Sequence, residues 1–496
     1  MGSSGSFSQL KQIAVAASRE GKIVTADECS DRKQNEEDLF MSAFTKPHPQ
    51  VGTEWSDADR VSPYPILVPE YFVENAKQLQ EALAIAVASI VERWAEPGGG
   101  NDSLSQRMPM QFHEDTLLRW IHQKTKEGVI APYKERMGHW RPDILLSNTE
   151  DGALSFRICE INARFFQNSL MYSMQAFTAC SRMLSGHPLL QPTADPEYLL
   201  DCLCGLFDPS LSLHLLVGWG RPKLALAISK LFKERAGVSA RVISPSDLRL
   251  IPDDTSPTGY SLYAVYTKSD VGTTLDENTT LDGLEPVRQV GLYLFQDEFR
   301  RLSMEVLQHI ALHCVNDIRT ILLVADKRIL GIVLQELDAL VYDYKVITPE
   351  QARILRDGIV PTVLPGSPEL KSLISQSRYD PVLKNEYIIK PCRDAESVGI
   401  LFGDELLTDE WERLLADMRD PRLYPHQFQY IIQRIIRQPA ISLSHQVDLT
   451  HGDMNIVGLY YAFNGHYKAL GAWRVTHGRL SAYSKGGFRI PSVAMK

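Results

Sequence analysis

Residues 141 to 162, RPDILLSNTEDGALSFRICEIN, limit the fold more than any other stretch of the chain. Two apolar runs flank an N-T-E-D-G turn, which is the pattern of an antiparallel β-hairpin. On the second run Glu160 and Asn162 are two residues apart, so both leave the same face of a strand as hard oxygen donors suited to Mg²⁺. Arg164, two positions further, adds a cation on that face. A solvent-facing polar pair is the bland alternative, and the cation favours a phosphate-bearing site over it.

The 496 residues are 44% apolar and 23% charged, enough for about three domains with large cores. A formal charge of −9 without any run of lysine and arginine argues against nucleic acid or an anionic membrane as the main partner. A small anionic ligand bound locally is compatible with it. Seven cysteines occur without a CxxC pair; the nearest two, Cys202 and Cys204, lie in the apolar run YLLDCLCGLF. That usage predicts reduced core thiols and a cytoplasmic protein rather than a disulfide framework or a zinc site. No apolar stretch approaches the roughly 20 residues of a membrane span, and MGSSGSFSQLKQ lacks the apolar run of a secretory signal.

Four segments follow from composition and periodicity. Residues 1–58 are polar and aperiodic and are expected to form an extension. Residues 59–200 hold a helix from PYPILVPEYFVENAKQLQEAL onward, a second helix around QFHEDTLLRWIHQKTKEG, and the hairpin. Residues 201–325 alternate strand-like and helical runs, from LHLLVGW through SLYAVYT and VGLYLF to RTILLVAD, the rhythm of a parallel sheet. Its Gly-Trp-Gly at 218–220 is not a dinucleotide fingerprint, so the expected role of this segment is to help form a substrate cleft. Residues 326–496 read as α+β, with a lid over about 365–435.

Three further stretches carry chemistry. In YIIKPCRDAESVGILFGD an apolar strand ends in Lys390, and Ser397, Val398 and Gly399 make a turn small enough for backbone N–H groups to approach phosphate oxygens. In QYIIQRII the backbone beside apolar side chains suits an adenine ring, although a plain sheet strand is an even alternative. Lys327 follows ILLVA, where a lysine is more often a surface residue than a ligand.

Together these stretches resemble the ATP-grasp superfamily. KPCRDAESVGI is similar to the lysine-proline loop of D-alanine–D-alanine ligases, and EINARF resembles the superfamily's metal-binding E-x-N. Here E-x-N precedes the loop by more than two hundred residues, an order that resembles circularly permuted, eukaryotic-type glutathione synthetases. The likeness runs from about residue 60 to the C-terminus through RPDILLSNTEDGALSFRICEIN, ADKRILGIVLQEL, YIIKPCRDAESVGILFGDEL, QYIIQRII and HGDMNIVGLYYAFN. It implies an α/β (α+β) ATP-grasp fold with an inserted parallel-sheet substrate domain.

The resemblance implies roles as well. Lys327 and Lys390 would meet ATP phosphates under the backbone of Ser397, Val398 and Gly399. Glu160, Asn162 and Asp394 would hold Mg²⁺. Ile432, Gln433, Arg434, Ile435 and Ile436 would flank adenine with Phe402, and Asp453 would reach the ribose. Arg141 and Arg474 would orient the substrate carboxylate and the acyl phosphate, with Lys390 beside them. The activity implied is an ADP-forming carboxylate–amine ligase using ATP and Mg²⁺, working on small-molecule acids and amines, plausibly as a homodimer.

Departures from the family point away from glutathione. Ala395-Glu396-Ser397 replaces its triple glycine, Ala163-Arg164-Phe165-Phe166 replaces its small residues after E-x-N, and Thr476 stands where a lysine is expected. Phe165, Phe166 and Trp473 are candidates for an aromatic acceptor pocket. Specialised metabolite biosynthesis is therefore the expected setting. Glutathione synthetase proper, a phosphotransferase and a non-catalytic nucleotide scaffold are the alternatives.

Overall fold

Both halves of the 141–162 stretch are strands, His139–Asn148 and Leu154–Asn162, paired antiparallel with Arg141 opposite Asn162 and Asp143 opposite Glu160. The structure, a computed structural model, describes residues 10–44, 60–97, 103–166, 170–218, 222–265, 283–394, 397–439, 443, 454–480 and 487–496. The hairpin belongs to a six-stranded sheet that also contains Met454–Phe463, Trp473–His477, Phe488–Ile490 and, to one side, His466–Leu470. C-terminal strands thus close on a hairpin formed three hundred residues earlier, which brings Arg474 to Asp143 on its first strand.

Against this sheet packs the long helix Glu70–Arg93, whose apolar residues recur at helical spacing and bury Phe72, Leu79, Leu83, Val87 and Ile90. The second expected helix is Phe112–Lys126. Helix Arg328–Tyr342 lies across both layers and buries Ile329, Leu330, Val333 and Leu337. A separate four-stranded antiparallel sheet has the order Thr362–Val363, Tyr430–Arg434, Tyr387–Pro391, Leu401–Phe402. It has a small core of its own, with Leu370, Leu373, Ile389, Trp411, Leu415 and Ile432. The two sheets touch where Val360 N–H donates to the Ile158 carbonyl at 3.0 Å and Gln433 Nε2 donates to the Cys159 carbonyl at 3.1 Å.

The middle segment departs from a single open sheet. Leu213–Val217, Ala240–Ile243 and Val290–Tyr293 form three parallel strands, whereas Leu248–Pro252, Tyr260–Val265 and Leu284–Pro286 form a separate antiparallel sheet. RTILLVAD is no strand: Thr320–Val324 is a fully buried turn of π-helix. A short, wholly apolar run has no period by which strand and helix are told apart, and burial on every side suits either.

The N-terminal segment also differs from an extension. Lys11–Gln12 pairs with Ile66–Leu67 in a sheet that includes Ser492–Met495, and helix Lys33–Phe44 packs on Leu170–Met183. Ile13, Val15, Phe40 and Phe44 are buried in that core. The dense charges around these few apolar residues mask their spacing. All seven cysteines are free, and among the described residues no helix is long and apolar enough to cross a membrane.

Candidate functional site

The site lies where the hairpin, the start of helix Arg328–Tyr342 and the lysine-proline strand Tyr387–Pro391 converge. Glu160 and Asn162 share a face of their strand as the two-residue period requires, and Asn162 Nδ2 lies 3.2 Å from Glu160 Oε1. Lys327 Nζ stands 3.5 Å from Glu160 Oε2 and donates to the Asp394 carbonyl at 2.6 Å. Lys327 N–H donates to the Cys392 carbonyl at 2.9 Å, so the loop after Lys390 is strapped to the turn that carries Lys327. Lys390 is 7% exposed, and among the described residues its ammonium has no hydrogen bond or ion pair. Glu160 supplies a counter-charge without bonding it, and a buried ammonium with its donors unused is a position for an anionic ligand.

Behind these residues sits a carboxylate to which sequence reasoning gave no role. Asp143, 1% exposed, accepts from Arg141 Nε at 3.1 Å and from Arg474 Nη2, and shares a hydrogen bond with Glu160. It lies two residues after Arg141, a spacing that places both on one face, so the signal was present in R-P-D. Burial pushes the Asp143 carboxyl up despite its two arginines, and the charge of Glu160 adds to that rise. Burial would raise Glu160 too, but Lys327, Lys390 and Arg474 outweigh it and hold that carboxyl well below the usual range. The two carboxyls are thus pushed apart, Asp143 up and Glu160 down.

A second buried network fixes the lysine-proline loop from below. Arg393 Nε donates to Asp326 at 2.8 Å and its Nη1 to Glu114 at 2.7 Å, while Arg328 grips Asp326 through Nε at 2.9 Å and Nη2 at 2.8 Å. Both arginines outweigh burial and hold the Asp326 carboxyl down at about 2. Lys327 is thus flanked by a fixed ion pair whose third member, Arg393, belongs to the loop over the site. Cys392 in that loop is 2% exposed, and burial pushes its thiol up to about 12, which makes it an inert packed thiol.

The remaining expected residues divide. Ser397 and Gly399 form the turn with φ of +62° and +70°, and Val398 is 55% exposed at its tip. Ile432 and Gln433 are buried in strand Tyr430–Arg434; Gln433 is held by Cys159 and by Thr362 Oγ1 at 3.0 Å. Arg434 is exposed and paired with Glu386. The Ile435 N–H already donates to the Glu386 carbonyl at 2.8 Å, which leaves Ile436 as the half-buried position beyond it. Phe402 is buried with the Arg479 guanidinium 3.7 Å above its ring, so that face is already covered. Asp394 is exposed. Asp453 lies outside the described residues, as do Ala395 and Glu396.

Two of the three expected pocket aromatics are core residues instead. Phe166, 1% exposed, packs against Phe207, Phe232 and Tyr293, and Trp473, 1% exposed, lies against Phe72 and donates to Ser492 at 2.8 Å. Residues flanking a bulged or tightly turned strand end cannot be assigned a face from spacing alone. Phe165 is half-buried and stacks on Tyr293 at 5.7 Å and edge-on to Phe295 at 5.6 Å. Arg164 lies 5.6 Å over the Phe295 ring and donates to the Arg393 carbonyl.

A divalent cation is compatible with the donors present. Three cations hold the Glu160 carboxyl low and an amide stands next to it, which are the hard donors Mg²⁺ prefers alongside phosphate oxygens. Among the described residues no three His, Cys, Asp or Glu side chains cluster into a complete metal cage. The set therefore suits an ion shared with a polyphosphate rather than one held by protein alone.

Comparison with known proteins agrees with this geometry. The family model of the AnkG N-terminal domain matches residues 79–323. The "ATP-grasp enzyme ankG" of Aspergillus thermomutatus is 37% identical over 490 residues, covering 97% of this chain and 99% of the relative. Among solved structures, a glutathione synthetase-like effector from Globodera pallida, in its apo form, matches with a TM-score of 0.53 at 13% identity, over 92% of this chain and 96% of that one. At that identity the likeness concerns the fold, which is the glutathione-synthetase-like ATP-grasp architecture.

Proposed function

Because the chain belongs to the family of the ATP-grasp enzyme ankG, we propose that it is an ATP- and Mg²⁺-dependent carboxylate–amine ligase acting through an acyl phosphate. The observation that carries this reading is the Glu160 carboxylate lying 3.5 Å from Lys327, with the buried Lys390, which makes no hydrogen bond among the described residues, also close enough to help hold it down. Such a cluster is a poor structural device and a good polyphosphate site.

The reaction opposes two anions, the substrate carboxylate and the γ-phosphate. Lys327 and Lys390 offset that repulsion, and Arg141 and Arg474, oriented by Asp143, face the carboxylate and then the acyl phosphate. Glu160, Asn162 and Asp394 would hold Mg²⁺, which when bound supplies further charge neutralisation at the transferring group. The carboxylate oxygen bonds to the γ-phosphorus as ADP leaves; the amine then bonds to the carbonyl carbon, phosphate leaves and the amine proton passes to water. A preorganised donor at such a site is typically worth about 10² to 10³ in rate.

The substrates proposed are small and amino-acid-like, joined in specialised metabolism rather than in glutathione supply. Ala163 and Phe166 are packed into the core, and Thr476 is buried with its hydroxyl donating to the Leu480 carbonyl at 3.0 Å. Residues so engaged are unsuited to the contacts that glutathione precursors would need there. The half-buried Phe165 and Phe295 with Arg164 are the side chains best placed to meet an acid or amine.

Incubating the protein with ATP, Mg²⁺ and a library of acids and amino acids should release ADP and phosphate only when both partners are present, with a product one water lighter than their sum. AMP and pyrophosphate, a phosphorylated acid as the end product, or no turnover would each overturn the proposal. Glu160→Ala should reduce turnover at least a hundredfold, with partial recovery at high Mg²⁺.

A further inference from the structure

Away from the nucleotide cleft, a cavity of about 350 Å³ opens between the C-terminal end of helix Glu70–Arg93, the second half of helix Phe112–Lys126 and the approach to the π-helix Thr320–Val324. None of the residues assigned to ATP, metal or acyl transfer lines it. Its volume is at the small end of the range that holds small molecules, roughly 300–1,000 Å³.

The charges on its walls are unevenly placed. Inside, Glu92 Oε1 is withdrawn from water and has no hydrogen-bond donor among the described residues. Arg319 feels its charge, but no neighbour donates to it. Arg319 spends its guanidinium on Asp317 at 2.8 Å, on the Ala131 carbonyl at 3.0 Å and on Thr125 Oγ1 at 3.4 Å. His122 bonds the Glu92 main-chain carbonyl, and burial, aided by Lys126, lowers its affinity for a proton. At the mouth, Lys126 and Lys134 are exposed and outnumber the exposed Glu96, and neither lysine has an ion pair or hydrogen bond to a side chain among the described residues. Between the inner anion and the outer cations lie Trp94, Leu118 and Leu323, all buried.

A buried carboxylate oxygen without a donor is costly, and an ammonium group satisfies it better than a neutral donor does. An anion inside, cations outside and apolar walls between match a zwitterion carried on an apolar body. We propose that this cavity is a second ligand site, separate from the reaction site, that takes a free α-amino acid with an apolar side chain, its ammonium on Glu92 and its carboxylate toward Lys126 and Lys134. The inference goes beyond the ligase reading and does not depend on it.

Calorimetric titration of the full chain with L-leucine, L-phenylalanine and L-tryptophan, without ATP, tests it. At least one should bind at a single saturable site. Its N-acetyl derivative should bind at least tenfold more weakly, and so should the free amino acid to Glu92→Gln. Lys390→Ala should bind it unchanged. The proposal is overturned if none of the three binds, if acetylation is without effect, or if Lys390→Ala abolishes binding while Glu92→Gln does not, since the ligand would then occupy the nucleotide cleft. Should Glu92→Gln fail to fold, the exposed Lys126→Ala decides: threefold or greater weakening supports the site, and unchanged affinity overturns it.

Discussion

Lys390 and Arg328 are both buried cations, and they should respond oppositely to the same substitution. Arg328 is fully enclosed and closes a bidentate pair with Asp326. Removing it leaves the buried Asp326 carboxylate with Arg393 alone, so Arg328→Met should cost about 3 kcal/mol of stability, read by denaturant unfolding. Lys390 has no such bonded partner, and Glu160 keeps Lys327 and Arg474 without it, so Lys390→Met removes a desolvation cost and keeps the packing of the stem. The apo thermal midpoint of that variant should be unchanged or higher, while the gain on adding ATP disappears and turnover falls at least a hundredfold. A clear loss of apo stability would show that Lys390 is held by a structural partner. This difference was not legible in the sequence, where both residues are cations beside a strand or helix start. Only the burial of Asp326 with Arg328 and Arg393 separates them, and Arg393 joins that cluster from sixty-seven positions away.

Among elements, the turn after Lys390 shows what local sequence can and cannot specify. Gly399 has φ +70°, and a Cβ there would come within 2.9 Å of Pro391 Cγ and 3.1 Å of the Phe428 ring. Gly399→Ala should therefore displace the turn, raising the KM for ATP at least tenfold with little change in global melting, since the loop lies at the surface. Ser397 has the same left-handed backbone at φ +62° with a side chain that disfavours it. Ser397→Gly should stabilise the protein by up to about 1 kcal/mol and leave the KM for ATP within a factor of two. The small residues of this turn and the alternation of the hairpin could be read from the sequence because each answers to a backbone requirement within a few residues. Thr320–Val324 and helix Lys33–Phe44 could not, since burial by distant segments decides the first and scattered apolar residues among charges carry the second. For the same reason the E-x-N pair was legible, whereas the burial of Phe166 and Trp473 was not: the strand period aims a side chain, and only packing says what it meets.

Across the whole molecule, acid should unfold the protein before its carboxylates titrate, because buried histidines, His139 and His214 foremost, are kept neutral. His139 lies in the main sheet, stacked on Phe463 at 4.2 Å with Nδ1 2.8 Å from the Phe166 carbonyl, and burial, with Arg141 adding to it, lowers its pKa to about 3. His214 lies in the parallel sheet 3.9 Å from Glu285, and burial, with Arg241 nearby, lowers its pKa to about 4. In the unfolded chain each takes up a proton near pH 6.5. Between that value and the folded one the unfolded state binds more protons, so the stabilisation is complete above about pH 6.5 and is lost as pH falls. Each histidine contributes about 1.4 kcal/mol per pH unit, together roughly 3 kcal/mol per unit between pH 6 and 4. Because they sit in different sheets, the loss is shared by the two large cores rather than confined to the nucleotide cleft. The midpoint of denaturant unfolding should therefore fall steeply from pH 7.5 to 5.0. His139→Phe, which keeps the stack on Phe463 and cannot be protonated, should remove about a third of that slope, since His214 and His313, both lowered to about 4, keep theirs. A midpoint that is flat across this range, or a slope unchanged in His139→Phe, would show that these histidines gain protons in the folded state.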